Sequence, residues 1–153
     1  MTNNKIDPKA ITIEHIRIIH SDVTSTEQYR DNPQKLSKIE IQNKQNSAFN
    51  FQEKRMRIRL NTLLQGVDQN LEKLGVSGEF LIEFHTYVDN FDDFVIEESE
   101  EKKISGTLMS TLISIVYSTA RGIIFEKLQG TYLSGCILPV INPDDLIEKQ
   151  SSK

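Results

Sequence analysis

Arg55-Met56-Arg57-Ile58-Arg59-Leu60 alternates guanidinium and apolar side chains without a break. Successive side chains of a strand point to opposite faces of a sheet. This run therefore dictates a strand with Met56, Ile58 and Leu60 buried and a cationic strip on its other face. Downstream, Phe80, Ile82 and Phe84 alternate with Leu81, Glu83 and His85 in the same way. Upstream, Ile11 and Ile13 are followed by Ile16 and Ile18, a change of phase near Glu14-His15 that a bulged strand accommodates. Ile39 and Ile41 begin a shorter alternation, which the polar residues 42–47 interrupt ahead of Phe49 and Phe51. Residues 25–38, with Asp31-Asn32-Pro33, read as a loop or crossover, and residues 67–78 as a polar connection ending in glycine. About four strands with no long helix between them predict an antiparallel sheet.

The remaining periodic segment is helical. Ile104, Leu108, Leu112, Val116, Ala120, Ile124 and Leu128 form an i, i+4 row, widened by Met109, Ile113 and Ile123, that fits a helix covering the sheet. The acidic residues 92–101 before it read as a solvated linker whose charge suits the helix N-terminus. A second row, Ser110, Ser114, Ser118 and Gly122, is small where a solvent-facing helix usually carries lysine and glutamate. Small side chains permit close approach of another backbone, so the row is a candidate helix–helix contact between subunits.

After the helix comes an irregular apolar stretch, Gly130-Thr131-Tyr132-Leu133-Ser134-Gly135-Cys136-Ile137-Leu138-Pro139-Val140-Ile141-Asn142-Pro143. Its prolines fix the backbone and supply no amide donor, so it reads as a docked tail. The expected fold is α+β: a four-stranded antiparallel sheet, a long C-terminal helix, an apolar tail and a short terminal helix. All of it forms one domain over residues 1–153, with flexible ends at 1–9 and 148–153.

Composition narrows the function. The chain has 153 residues, 37% hydrophobic, with a net charge of −4. Nucleic-acid affinity rests on clustered lysine and arginine, so nucleic acid is not the expected partner. One cysteine, Cys136, and a polar N-terminus without an apolar signal core fit a cytoplasmic protein. Residues 104–128 are rich in serine and threonine and contain Arg121, Glu126 and Lys127, which reads as a soluble helix, not a membrane span.

No catalytic apparatus emerges. His15 and His20 differ by an odd number of residues, which places them on opposite strand faces unless a bulge intervenes, and no cysteine or histidine pair has metal-ligand spacing. Glu83 and His85 share a strand face and have the chemistry of an acid–base pair, yet alternation alone accounts for two polar residues there. Cys136 reads as a small core side chain, and Gly130 and Gly135 as helix termination and a turn. A binding protein without cofactor or metal is the expectation.

The order of these parts resembles the SecB family of protein-export chaperones over nearly the whole chain. The local matches are Phe80-Leu81-Ile82-Glu83, Ala120-Arg121, Gly130-Thr131-Tyr132, and Leu138-Pro139-Val140 followed by Asn142, Asp145 and Leu146. The resemblance implies an ATP-independent holdase, a homotetramer built as a dimer of dimers, that holds unfolded preproteins in apolar grooves. Tyr29, Leu36, Phe49, Phe51, Tyr132, Leu133 and Ile137 are the candidate groove residues. Asp22, Leu81 and Glu83 match positions that dock the SecA motor ATPase of the export channel, and a further acidic position of the family falls on Thr26. SecB-like members attached to toxin–antitoxin systems imply an alternative, an interaction module dedicated to one partner such as an antitoxin.

Overall fold

The computed structural model describes residues 5–151, the last four by backbone alone, and the outermost residues of both expected flexible ends lie outside that range. The strands are β1 (Ile11–Ser25), β2 (Lys38–Asn50), β3 (Arg55–Val67) and β4 (Lys73–Val88), in one antiparallel sheet of order β1-β4-β3-β2. The crossover after β1 therefore carries the chain from one edge of the sheet to the other. It contains a short helix, α1 (Glu27–Asp31), in a stretch expected to be irregular. Thr26 caps it, accepting the Tyr29 amide at 3.1 Å, and the Thr26 amide donates to the Gly75 carbonyl of β4 at 2.8 Å.

The alternation of β3 and β4 survives intact. Met56, Ile58, Leu60, Phe80, Ile82 and Phe84 are buried on the inner face, with Arg55, Arg57, Arg59, Leu81, Glu83 and His85 on the outer one. The bulge expected in β1 lies between Ile13 and His15, and a second register shift separates Ile18 from His20. The second shift restores His20 to the face of His15, because one inserted residue reverses the pleat.

Three connections prove to be structured. β2 runs straight through residues 42–47, because its inner-face polar groups are satisfied locally: Thr62 donates to Asn43 Oδ1 at 2.7 Å and Ser47 to Gln45 Oε1 at 2.6 Å. β4 begins at Lys73, inside the expected connection. The acidic segment is a small hairpin, β5 (Val95–Glu98) and β6 (Glu101–Ile104), seated by the buried Phe91 and Phe94. Its turn residues Ser99 and Glu100 have φ of +49° and +69°, so a hairpin turn forms there without glycine.

The long helix α2 (Gly106–Lys127) starts at Ser105, whose hydroxyl accepts the Leu108 amide at 3.3 Å, and Gly130 takes a φ of +78° just past its end. Leu108, Leu112, Val116, Ala120, Ile124 and Leu128 are all buried with the inner-face residues. The helix is long and apolar enough to cross a membrane by length and composition. That apolar row, however, is spent on the sheet. A final helix, α3 (Pro143–Ser151), packs on α2 and β2, with Ser110 of α2 donating to Asp144. One helix about 10 Å wide cannot span four strands spaced about 4.8 Å apart. The uncovered remainder is the middle of the inner face of β1, at Ile16 and Ile18, since Ile11 and Val23 nearer its ends pack against the core.

Candidate polypeptide-binding surface

The tail between α2 and α3 is held by its backbone. Arg121 Nε donates to the Leu138 carbonyl at 2.8 Å, and the Tyr117 hydroxyl to the Pro139 carbonyl at 2.7 Å. Burial pushes the Tyr117 phenol up from its ordinary range, with Arg121 and a hydrogen bond to Asn43 opposing, so it stays a donor. Leu133 and Leu138 plug into the core while other side chains of the same stretch turn outward: Tyr132 is 44% exposed, Ile137 63% and Val140 82%. Fixing the backbone while presenting apolar side chains to solvent is what a preformed polypeptide-binding wall requires.

Six of the seven expected groove residues fall into two groups. Tyr29 and Tyr132 meet edge to face at 5.2 Å, Leu36 lies over Gly66, and Leu133 lies over Gly78, all at the end of the sheet where β3 finishes and β4 begins. Tyr29 is buried and donates its hydroxyl to the Gln34 carbonyl at 2.8 Å, so α1 is pinned over that end. Phe49 and Phe51 lie at the opposite end, 6.1 Å apart, with Phe51 against Phe91 and beneath Lys102. Ile137 belongs to the tail alone. Half-buried Cys136 has its thiol pushed up by burial, which disfavours the reactive thiolate.

Val140 and the β1 isoleucines went unrecognised as surface. Ile16, Ile18 and Ile19 are 37%, 40% and 44% exposed along an edge strand of 15 residues. Their alternation gave the strand, and the signal that they stay bare was the supply of only one long helix for four strands. Such an edge offers unpaired backbone groups beside apolar side chains, which suits strand addition by another chain.

Asp22, Leu81 and Glu83 share the outer face, through the pairings Asp22–Glu79, His20–Leu81 and Arg17–Glu83. Asp22 is exposed, and it borders a shallow cavity of about 420 Å³ together with Glu40, Leu63 and Glu79. Glu83 is different. It is 3% exposed, and its two oxygens lie 2.6 Å from Arg59 Nε and 2.7 Å from His85 Nε2. Hydrogen bonds from Arg59 first and His85 second lower its carboxyl to about 2, against the opposing effect of burial. The Glu83–His85 pair is thus in hydrogen-bond contact as an acid–base reading requires, but the carboxylate is also held by Arg59 and the cavity on this face has neither residue in its lining. Among the described residues no three His, Cys, Asp or Glu side chains are placed to hold a metal ion.

The small row of α2 is divided. Ser110 bonds α3, Ser114 and Ser118 border a 130 Å³ crevice against the tail with Val140 and Pro143, and Gly122 is open to solvent.

No protein-family model and no curated protein sequence matches the chain. Among solved structures it is similar to a Mycobacterium tuberculosis SecB-like chaperone in complex with a ChAD peptide from the HigA1 antitoxin. That match has a TM-score of 0.59 and 11% identity, and covers 87% of this chain and 91% of that one. A protein of unknown function from Streptococcus agalactiae aligns at a TM-score of 0.44 and 13% identity, over 85% of this chain and 97% of that one. With its sheet order, its single long covering helix and its returning tail, the chain has the SecB-like fold.

Proposed function

We propose that this protein is an ATP-independent holdase of the cytoplasm that captures unfolded polypeptides, preproteins for export among them, on the tail wall and the open β1 edge. The observation that carries the reading is the tail: backbone fixed by Tyr117 and Arg121, with Tyr132, Ile137 and Val140 facing solvent. Exposed apolar side chains gathered on one fixed segment mark a surface that a partner covers. Its SecB-like fold supports the same reading. No nucleotide, metal or catalytic group has a part in it.

Self-association into a dimer of dimers belongs to this proposal, with Ser114, Ser118 and Gly122 as the contact on α2. Docking of the SecA motor would fall to Asp22 and Leu81, since the Glu83 carboxylate is engaged by Arg59 and His85. The alternative, an interaction module for one partner such as an antitoxin, uses the same wall and draws support from the peptide-bound SecB-like structure.

The test is an aggregation assay in which chemically unfolded protein is diluted into this one without nucleotide. Suppression is expected, and replacing Ile137 and Val140 together by Asp should weaken it several-fold without loss of fold. Failure to hold any unfolded polypeptide would sink the proposal. Co-purification of one stoichiometric partner in place of a broad client set would select the dedicated module.

A further inference from the structure

The outer sheet face is electrostatically divided along the strand direction. Towards one end lie Asp22, Glu40 and Glu79 around Leu63, with the cation Lys73 among them. At the other, register places Arg57, His85 and His15 in one cross-strand row and Arg59, Glu83 and Arg17 in the next. Arg55, paired with Tyr87 beyond the Arg57 row, is bonded to Glu14 at 3.1 Å and lies 3.5 Å from Glu53. Four guanidiniums therefore face three carboxylates, Glu14, Glu53 and Glu83, leaving an excess of one positive charge on a chain whose net charge is −4. The excess has an address. Arg55 and Arg59 have carboxylate partners, whereas neither Arg17 nor Arg57 has a side-chain hydrogen bond or ion pair among the described residues. Arg57 Nε is moreover shielded from solvent with no acceptor, a donor for which folding alone supplies no partner.

We infer that this end of the outer face is a docking surface for an acidic, extended segment of a partner protein, with Arg17 and Arg57 as the two guanidiniums that take its carboxylates. Sheet spacing puts the two residues about 10–12 Å apart across β4, and alternate side chains of an extended segment repeat about every 7 Å. Carboxylates four residues apart along such a segment, about 13 Å, reach both arginines once side-chain length is allowed for. Glu83 has a positioning role: it clamps Arg59 and His85 between the two free arginines and keeps them from competing for the same carboxylates. The surface lies on the opposite side of the sheet from α2 and the tail. It serves a partner other than the unfolded client and goes beyond the holdase reading.

The test uses the full chain and a dye-labelled Glu-Thr repeat peptide, with Gln-Thr and Lys-Thr peptides and a single-stranded oligonucleotide as comparators, read by fluorescence anisotropy. The Glu-Thr peptide is expected to bind at low salt, weaken about tenfold by roughly 0.3 M salt, and outcompete the other three. Arg17→Gln with Arg57→Gln should weaken it about tenfold, while Lys127→Gln, away from this face, leaves it unchanged. The double variant should capture unfolded protein as well as the parent does, which separates this inference from the holdase proposal. Binding of the Glu-Thr peptide that is absent, equal in the double variant, or surpassed by the oligonucleotide would overturn it. Both substitutions keep a polar side chain while removing the charge, and a circular dichroism spectrum matching the parent confirms that the readout is binding and not folding.

Discussion

Arg121 Nε lies 2.8 Å from the carbonyl oxygen of Leu138, so a cation on the long helix holds the backbone of the segment that returns along it. A charge-assisted bond of this kind contributes about 2 kcal/mol. Arg121→Met keeps the aliphatic stem and is expected to lower stability by that amount in urea denaturation. It should also increase amide exchange around Leu138 and Val140. Adding Tyr117→Phe should cost less than the 1 kcal/mol expected of it alone, because both groups hold one segment and the first loss already frees it.

Acid should weaken the fold through Glu83. Its carboxyl is lowered to about 2 from an ordinary 4.5, so the folded state favours the ionised form. The resulting stabilisation is complete above about pH 4.5 and is lost as pH falls through about 2. Its partners Arg59 and His85 are 42% and 40% exposed, so solvent screens the pairs and limits the contribution to on the order of 1–2 kcal/mol. Glu83→Gln should remove that pH dependence between about 5 and 2, as followed by denaturation midpoints in buffers across the range.

Two glycines should respond to alanine with opposite signs. At Gly75 an added Cβ would stand 2.1 Å from Thr26 Oγ1, the cap of α1, so Gly75→Ala must push the cap away and is expected to cost about 2 kcal/mol. At Gly122, inside α2, nothing lies within 4 Å, and Gly122→Ala should gain up to about 1 kcal/mol from helix propensity. Thermal unfolding of the two variants beside the parent decides both.

Ser114→Glu tests the α2 contact. Ser114 is exposed in the isolated subunit, so the substitution should leave the subunit folded while placing an unpaired charge in any helix–helix contact. The expected result is a fall in solution mass by light scattering. An unchanged mass would exclude that part of the row as an interface.

Periodicity made the centre of the fold legible. Met56 to Leu60, Phe80 to Phe84 and the Ile104 to Leu128 row each repeat for long enough that one face must be buried. Where hydrogen bonds or chain length took the place of apolar repetition, the pattern fell silent. Asn43, Gln45 and Ser47 occupy inner-face positions of β2 through polar pairing, so residues 42–47 looked like a break. The five residues of α1 are too few to show a helical period, and the turn at Ser99-Glu100 lacks the glycine that usually marks one. At the site, the exposure of Tyr132 and Ile137 could be anticipated from an apolar stretch that prolines keep irregular. The burial of Tyr29 and Leu133 could not, because Tyr29 is seated by its edge contact with Tyr132 and its bond to the Gln34 carbonyl, and Leu133 by the room Gly78 leaves across the sheet.

The two register shifts of β1, between Ile13 and His15 and between Ile18 and His20, cut its free edge into three short lengths. An unbroken edge of 15 residues would template stacking without end. Each shift instead breaks the regular spacing of donors and acceptors, so an incoming strand finds matching partners over a handful of residues and then loses them. Under the proposed holdase function, a protein that offers isoleucine-rich backbone to sticky chains must itself avoid seeding a fibre, and these two inserted residues would let β1 hold a strand briefly without becoming the first layer of an aggregate.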